Sequence, residues 1–295
     1  MISPNDSTLP FIAGPGDAPW DTEIVSKRLL PPLRLDELIK YGNLIGILVY
    51  RDFVIYCKQT ILGPLWWLLQ PVITCVVFVV IFSKVMMGRT DPVPPTLFFL
   101  SGLILWFYFS QTLHNIARTF STNESLFTKI YFPRLAVPVS QVFVNLIKFV
   151  LQFAFFALVY AVFILQGTEV RPCPAILCLP LVVVYIAVLA AGLGLLVNSL
   201  TYKYRDLALA LPFILQMWMF LSAIIHPVSR IPEKLVFLTY INPVIPAVEL
   251  FRYGLFGVGT VSASQLLVAA LIGITTFAFG LVSFVYTNQV FVDNV

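Results

Sequence analysis

The sequence predicts an all-α integral membrane protein. It has six transmembrane helices, an amphipathic interface helix before the first, and re-entrant helices before the last. Three observations carry this. The 295 residues are 59% hydrophobic and only 11% charged, with a mean hydropathy of +0.93, where soluble domains carry about 25% charged residues. From Leu65 to Phe82 there is no charge at all, in a run long enough to cross a bilayer. Five more apolar runs of that kind follow, separated by short polar links.

Residues 1–34 are rich in Pro, Ser, Asp and Gly and predict a flexible N-terminal tail. They lack a basic start and an apolar centre, so no cleavable signal is expected. The stretch 35–62 reads as the interface helix. At about 100° per residue, Asp36, Lys40, Asn43, Arg51 and Lys58 share one face within roughly 80°, which suits a helix lying on a membrane surface. Ile47 and Val54 spoil the stripe, and Gly42 and Gly46 weaken the helix. Gly63-Pro64 then makes a corner, because proline disfavours helix in the residue before it. Spans are expected at about 65–82, 97–117, 135–165, 176–200, 207–225 and 266–286. The small-residue run from Ala190 to Gly194 lets another helix approach closely. Between the last two spans lie an amphipathic piece from Ile231 to Tyr240, a break at Asn242-Pro243, and an apolar piece ending at Arg252. Each piece is too short to cross.

Six spans put both termini on one side. That side holds Lys27, Arg28, Arg34, Lys40, Arg51, Lys58, Arg118, Lys129, Arg134, Lys203 and Arg205. The other side holds only Lys84, Arg89, Arg171, Arg230, Lys234 and Arg252. The richer side is cytoplasmic by the positive-inside rule. The net charge of +4 is too small to argue for nucleic acid. The basic residues are topology signals and contacts with membrane lipid.

Little catalytic chemistry is present. There is no G-x-x-x-x-G-K-S/T loop for ATP and no paired carboxylates. His114 and His226 lack neighbours that look like metal ligands, and the four cysteines form no metal pattern. No metal or cofactor is expected on this chain. The spans instead hold aromatics and amides. Trp66, Trp67, Trp106, Phe107, Tyr108, Phe109 and Trp218 suit either an interfacial aromatic belt or a slide for sugar, in which aromatic faces meet the pyranose ring. Lys148 lies in the third span, where a lysine faces a cavity or snorkels to the inner boundary.

The joint order of T-I-L-G-P-L-W-W-L-L-Q-P, S-G-L-I-L-W-F-Y-F-S, N-E-S-L-F-T-K-I-Y-F-P-R, K-Y-R-D and Y-I-N-P-V-I-P-A-V-E-L-F-R resembles the permease subunits of type-two ABC exporters for bacterial surface polysaccharides: O-antigen, capsule and teichoic acid. The likeness covers residues 35 to 290. It implies a multi-pass permease of the bacterial inner membrane that is not itself an enzyme. A homodimer would pair with two copies of an ABC ATPase that holds ATP and Mg, and export a lipid-linked polysaccharide. Residues 123–130 (Asn123, Glu124, Ser125, Leu126, Phe127, Thr128 and Lys129 among them) resemble the coupling helix that docks on the ATPase. Lys203, Arg205 and Asp206 match a second cytoplasmic link. The re-entrant segments 231–252, with Asn242, Pro243, Glu249 and Arg252, resemble an outer gate. The aromatics and Lys148 would line or flank the sugar path. Two other readings are an ABC exporter for a drug or lipid and a membrane-bound glycan-assembly enzyme. The second needs carboxylates at a membrane boundary.

Overall fold

The long apolar runs form long helices, because only intra-segment hydrogen bonds satisfy a backbone out of reach of water. The computed structural model describes residues 40–58, 61–86, 93–123, 126–127, 132–168, 170–204, 206–232, 234, 236–259 and 261–294. All belong to the compact unit Leu33–Val295. Among the described residues every regular element is helical. Among the described residues five helices are long and apolar enough to cross a membrane.

α1 is Gly42–Lys58, the described part of the stretch expected to form the interface helix. Neither glycine interrupts it, and Asn43 and Lys58 are exposed while Leu48 is buried. The chain turns at Gly63-Pro64 into α2, Leu65–Met86. α3 is Pro95–Ala117, followed by the single turn α4, Thr119–Thr122. α5 spans Ala136–Leu165. A 3-10 turn at Pro174–Cys178 leads into α6, Leu179–Lys203. α7 is Asp206–Phe220, the short α8 is Leu238–Ile241, α9 is Val244–Phe256, and α10 is Ala263–Asn294.

α3 is the centre of the packing. It touches α2, α5, α6, α7 and α9. Of its most apolar window 78% is buried, against 17% for α2 and α10, whose sides are left for lipid or another protein surface. α6 lies between α3 and α10. The small-residue run of α6 is where α10 comes closest. A Cβ on Gly280 would collide with the carbonyl oxygen of Gly192, and one on Gly192 would stand 2.6 Å from the Cα of Phe277. The two helices therefore meet backbone to backbone, as small residues allow.

Two expectations need correction. The fifth apolar run is helical only to Phe220, not to residue 225, because Ala223 takes a left-handed φ of 53°. The piece 231–240 is helical only at its end, in Leu238–Ile241. The break at Asn242-Pro243 stands, since Asn242 has the extended backbone on which α8 ends, and its Oδ1 accepts from the N–H of Val244 at 3.1 Å. The tail 1–34 and residues 124, 125 and 128–130 of the expected coupling helix lie outside the described residues.

Substituting Gly280→Val should cost about 1–3 kcal/mol through overpacking at this contact. Gly46→Ala, with nothing within 4 Å of the added carbon, should be neutral or slightly stabilising. Thermal unfolding in detergent checks both; equal Tm values for the two variants would contradict the close-contact account.

Candidate functional site

Pro71 sits inside α2 and supplies no N–H, so the carbonyl of Trp67, four residues earlier, loses its helical partner. Gln152 of α5 fills the gap: its Nε2 donates to Trp67 O at 2.8 Å. Gln152 is the last of four polar residues, Gln141, Asn145, Lys148 and Gln152, whose spacing puts them on one face of α5. Each one ties α5 to something. Gln141 donates to Asp52 Oδ2 of α1 at 2.7 Å. Asn145 Oδ1 accepts from Lys148 Nζ at 3.0 Å and lies 3.5 Å from Nδ2 of Asn115 on α3. Lys148 itself is 5% exposed, and its ammonium sits 5.7 Å from the centre of the Trp67 ring.

This ladder borders a cavity of about 620 Å³ at the foot of α2, walled by Trp66, Trp67, Gln70, Gln111, Asn115 and Lys148. A second cavity of about 350 Å³ continues between α2, α3 and α7 and shares Gln70, Gln111 and Asn115 with the first. Its further walls include Phe78, Trp106, Phe107, His114 and Gln216. Together they make one cleft lined by amides and aromatic rings.

The expected path residues divide. Trp66, 53% exposed, and Trp67 reach the lower cavity, and Trp106 and Phe107 the upper. Tyr108 packs on Phe149 at 5.3 Å and Phe109 on Trp218 at 5.3 Å, and none of these lines the cleft. Four successive residues on a helix point around it, so one aromatic run cannot all face one space. Lys148 joins the lower cavity. It lies well inside α5, yet beside Trp67 near the start of α2. α5 has 30 residues, about 45 Å, so its first turns stand outside a hydrocarbon layer of about 30 Å. The sequence reading missed Gln70, Gln111, Asn115, Gln152 and Gln216. The i, i+4 pair Gln111 and Asn115, in phase with Phe107 on the same helix face, was the available signal.

At the other end, Asn242 and Arg252 close the interruption after α7. Asn242 Nδ2 donates to Leu221 O at 3.1 Å. Arg252, 2% exposed, donates to Ala223 O at 2.7 Å, Ile224 O at 3.0 Å and Phe98 O at 3.2 Å, and its guanidinium lies 3.6 Å from the centre of the Phe98 ring. Glu249 stands 3.7 Å away on the same helix. Gly102 makes room, since a Cβ there would come within 2.6 Å of Nη2. Pro243 is buried, and its carbonyl accepts from the Tyr185 hydroxyl at 3.1 Å. Beside this cage, burial and then the positive charge of Arg252 pull the His226 imidazole below its usual value.

Near α4, Asn123 Nδ2 donates to Thr119 O at 3.2 Å. Leu126 is half-buried, and Phe127 is buried against Phe120 and Phe132 with Arg134 above its ring. Phe127 therefore anchors its segment to the bundle and does not face outward. Glu124, Ser125, Thr128, Lys129 and Arg205 lie outside the described residues, and Lys203 closes α6. Asp206 is exposed in the first turn of α7, where a carboxylate complements the helix dipole. Among the described residues no three His, Cys, Asp or Glu converge as metal ligands.

The family described as ABC-2 type transporter matches residues 43–256. The O-antigen export system permease protein of Myxococcus xanthus is 28% identical over 200 residues, covering 67% of this chain and 74% of the relative. The protein of the same description from Klebsiella pneumoniae is 24% identical over 239 residues, 81% of this chain and 90% of the relative. The polysialic acid transport protein of Escherichia coli is 26% identical over 192 residues, 65% and 72% respectively.

Replacing Arg252 by Met leaves the buried carbonyls of Ala223 and Ile224 without donors, and should cost roughly 3 kcal/mol or more. Arg252→Lys should not restore it, because one ammonium cannot reproduce the planar fork; full recovery of thermal stability by Lys would contradict this. His226 holds fewer protons folded than unfolded. Its contribution is therefore present above its unfolded value of about 6.5 and lost as pH falls below it. A wild-type Tm that drops more steeply than that of His226→Gln between pH 7 and 5 is the expected result.

Proposed function

The chain belongs to the ABC-2 type transporter family, and from that premise we propose that it exports a lipid-linked polysaccharide of the O-antigen or capsule kind across a bacterial inner membrane. It is a multi-pass membrane protein and the permease subunit; ATP hydrolysis belongs to a separate ATPase chain. The observation that carries the substrate class is the cleft. Gln70, Gln111, Asn115 and Gln216 offer donors and acceptors at membrane depth beside the faces of Trp67, Trp106 and Phe107. A hydroxyl-rich chain exchanges its water for those amides, while its ring faces pack on the aromatics. An apolar drug or lipid gains nothing from four amides whose desolvation it cannot compensate. The relatives named as O-antigen permeases support the same class.

In this reading α7 and the residues after it make a sixth crossing, both termini are cytoplasmic, and α8 and α9 form the re-entrant outer gate. The tail 1–34 precedes a transmembrane domain of 35–295. Two copies of the chain enclose the path, since one cleft open on a side is half a channel and a two-fold axis would close it. Two ATPase copies, holding ATP and Mg, dock on residues 123–130 and on the link at Lys203, Arg205 and Asp206. Phe127 then holds the docking segment in place, and Glu124 is the residue of that segment we assign to the ATPase.

Glu124→Arg should leave the spans folded and reduce co-purification of the ATPase about tenfold or more, whereas Phe127→Ala should also lower Tm. In a strain lacking the chain, the double variant Gln111→Leu, Asn115→Leu should cut surface polysaccharide about tenfold with ATPase binding intact. Undiminished export by the double variant would sink the path assignment.

A further inference from the structure

α3 and α6 end side by side, and the residues that follow them are the two links assigned above to the ATPase. The helices are already close one turn before their ends: a Cβ on Gly194 of α6 would stand 2.8 Å from the Cβ of Ile116. Asn198, one turn further along α6, donates from Nδ2 to the carbonyls of Ile116 at 3.0 Å and Ala117 at 3.1 Å. Thr201 Oγ1 adds a bond to Ala117 O at 3.1 Å. Side chains of α6 therefore fix the last turn of α3.

Beyond that turn the backbone changes direction at one residue, Arg118, whose φ of −102° and ψ of 11° lie between the helical and extended regions. The turns that follow are bonded in series. Thr122 N–H donates to Arg118 O at 2.9 Å, Asn123 N–H to Thr119 O at 3.2 Å and Phe127 N–H to Asn123 O at 3.1 Å. Phe120 seats them by stacking on Phe284 of α10, ring centres 5.0 Å apart. Two polar atoms at the joint are unmet. Thr119 Oγ1 and Asn198 Oδ1 have no hydrogen-bond partner among the described residues, and both residues are 1% exposed. One can donate and the other only accepts. Both flank the Ala117 carbonyl, which the Asn198 amide touches and Thr119 follows by two residues. Buried polar atoms are nearly always bonded, and one left unmet is a cost that a second arrangement can remove.

We propose that Thr119 and Asn198 are the positioning residues of this joint. Asn198 holds the end of α3 through Nδ2, and its Oδ1 is the acceptor that the Thr119 hydroxyl reaches when the segment after Arg118 swings. That segment then has two seats on α6: the one seen here, and one in which the bond from Thr119 to Asn198 is made. Closure of the ATPase moves it from the first to the second. The proposal rests on the reading that residues 123–130 dock on the ATPase.

The test uses the full transporter, this chain with its ATPase, in nanodiscs, and reads Tm and ATP turnover. Thr119→Val keeps the outline of the side chain and removes the hydroxyl. It should raise Tm by about 2 °C or more, because an unmet buried group is gone. It should also lower kcat for ATP about fivefold with KM unchanged, because the second seat is lost. Thr119→Ser should restore kcat. A hydroxyl with only a structural role would move Tm and turnover in the same direction. Unchanged kcat in Thr119→Val overturns the proposal, as does a fall in both Tm and kcat, or a loss that Ser does not restore. Asn198→Leu should lower Tm and kcat, and adding Thr119→Val to it should cost no further turnover; additive losses overturn the pairing. Should Asn198→Leu not assemble, hydrogen exchange decides the pairing. Trapping with ATP and vanadate should change the protection of amides 119–123 in wild type and not in Thr119→Val, and an equal change in both overturns it. Glu124→Arg separates the two readings. An ATPase that still co-purifies with Glu124→Arg removes the docking reading, whereas an ATPase shed by Glu124→Arg, with Thr119→Val turning over ATP as wild type does, removes the joint alone.

Discussion

Lipid offers no hydrogen-bond partners, so each carbonyl released where a membrane helix is interrupted has to be met from within the protein. Three interruptions are met by side chains from other helices. Gln152 answers the proline in α2. Asn198 and Thr201 of α6 donate to the carbonyls of Ile116 and Ala117 at the end of α3. Asn242 and Arg252 answer the turn after α7. Because each donor comes from a different helix, the same bonds that satisfy the backbone fix how the helices sit against one another. Apolar packing against lipid cannot do this, since tails and side chains are equally greasy.

Two buried cations among the described residues show how the same cost is met in different ways. Arg252 spends its fork on carbonyls and lies on the Phe98 ring. It acts as a clamp between α9, α3 and the interrupted end of α7, and Gly102 exists to admit it. Lys148 donates to the amide oxygen of Asn145 and borders the lower cavity. A planar donor with five N–H groups suits a fixed carbonyl cage, whereas a compact point charge suits the edge of a cavity. The residue types match the two settings.

The polar face of α5 also joins α1 to the cleft. Gln141 holds α1 through Asp52, while Asn145 and Lys148 reach the cleft four and seven residues on. A shift of the surface helix would be felt by the cleft through one rigid helix. The cleft needs α2, α3, α5 and α7 together, and the amides of α3, the most buried of the long helices, face it: Gln111 meets Gln70 of α2 and Asn115 meets Asn145 of α5.

Composition, apolar runs and helix breakers are one-dimensional signals, and the sequence by itself determined what depends on them: membrane class, the positions of the long helices, the corner at Gly63-Pro64, the break at Asn242-Pro243, and the close-packing run in α6. The joint order of motifs also pointed to the family. What depends on facing was decided only in three dimensions. Trp106 to Phe109 read as one aromatic cluster, yet the turn of the helix sends two to the cleft and two to the core. Phe127 reads as a docking contact and is an anchor. Helix α7 ends at Phe220 because Arg252, far along the chain, supplies the donors that make the interruption affordable. Hydropathy measures how greasy a segment is. It carries no record of which distant donor will meet a freed carbonyl, and that pairing built the cleft.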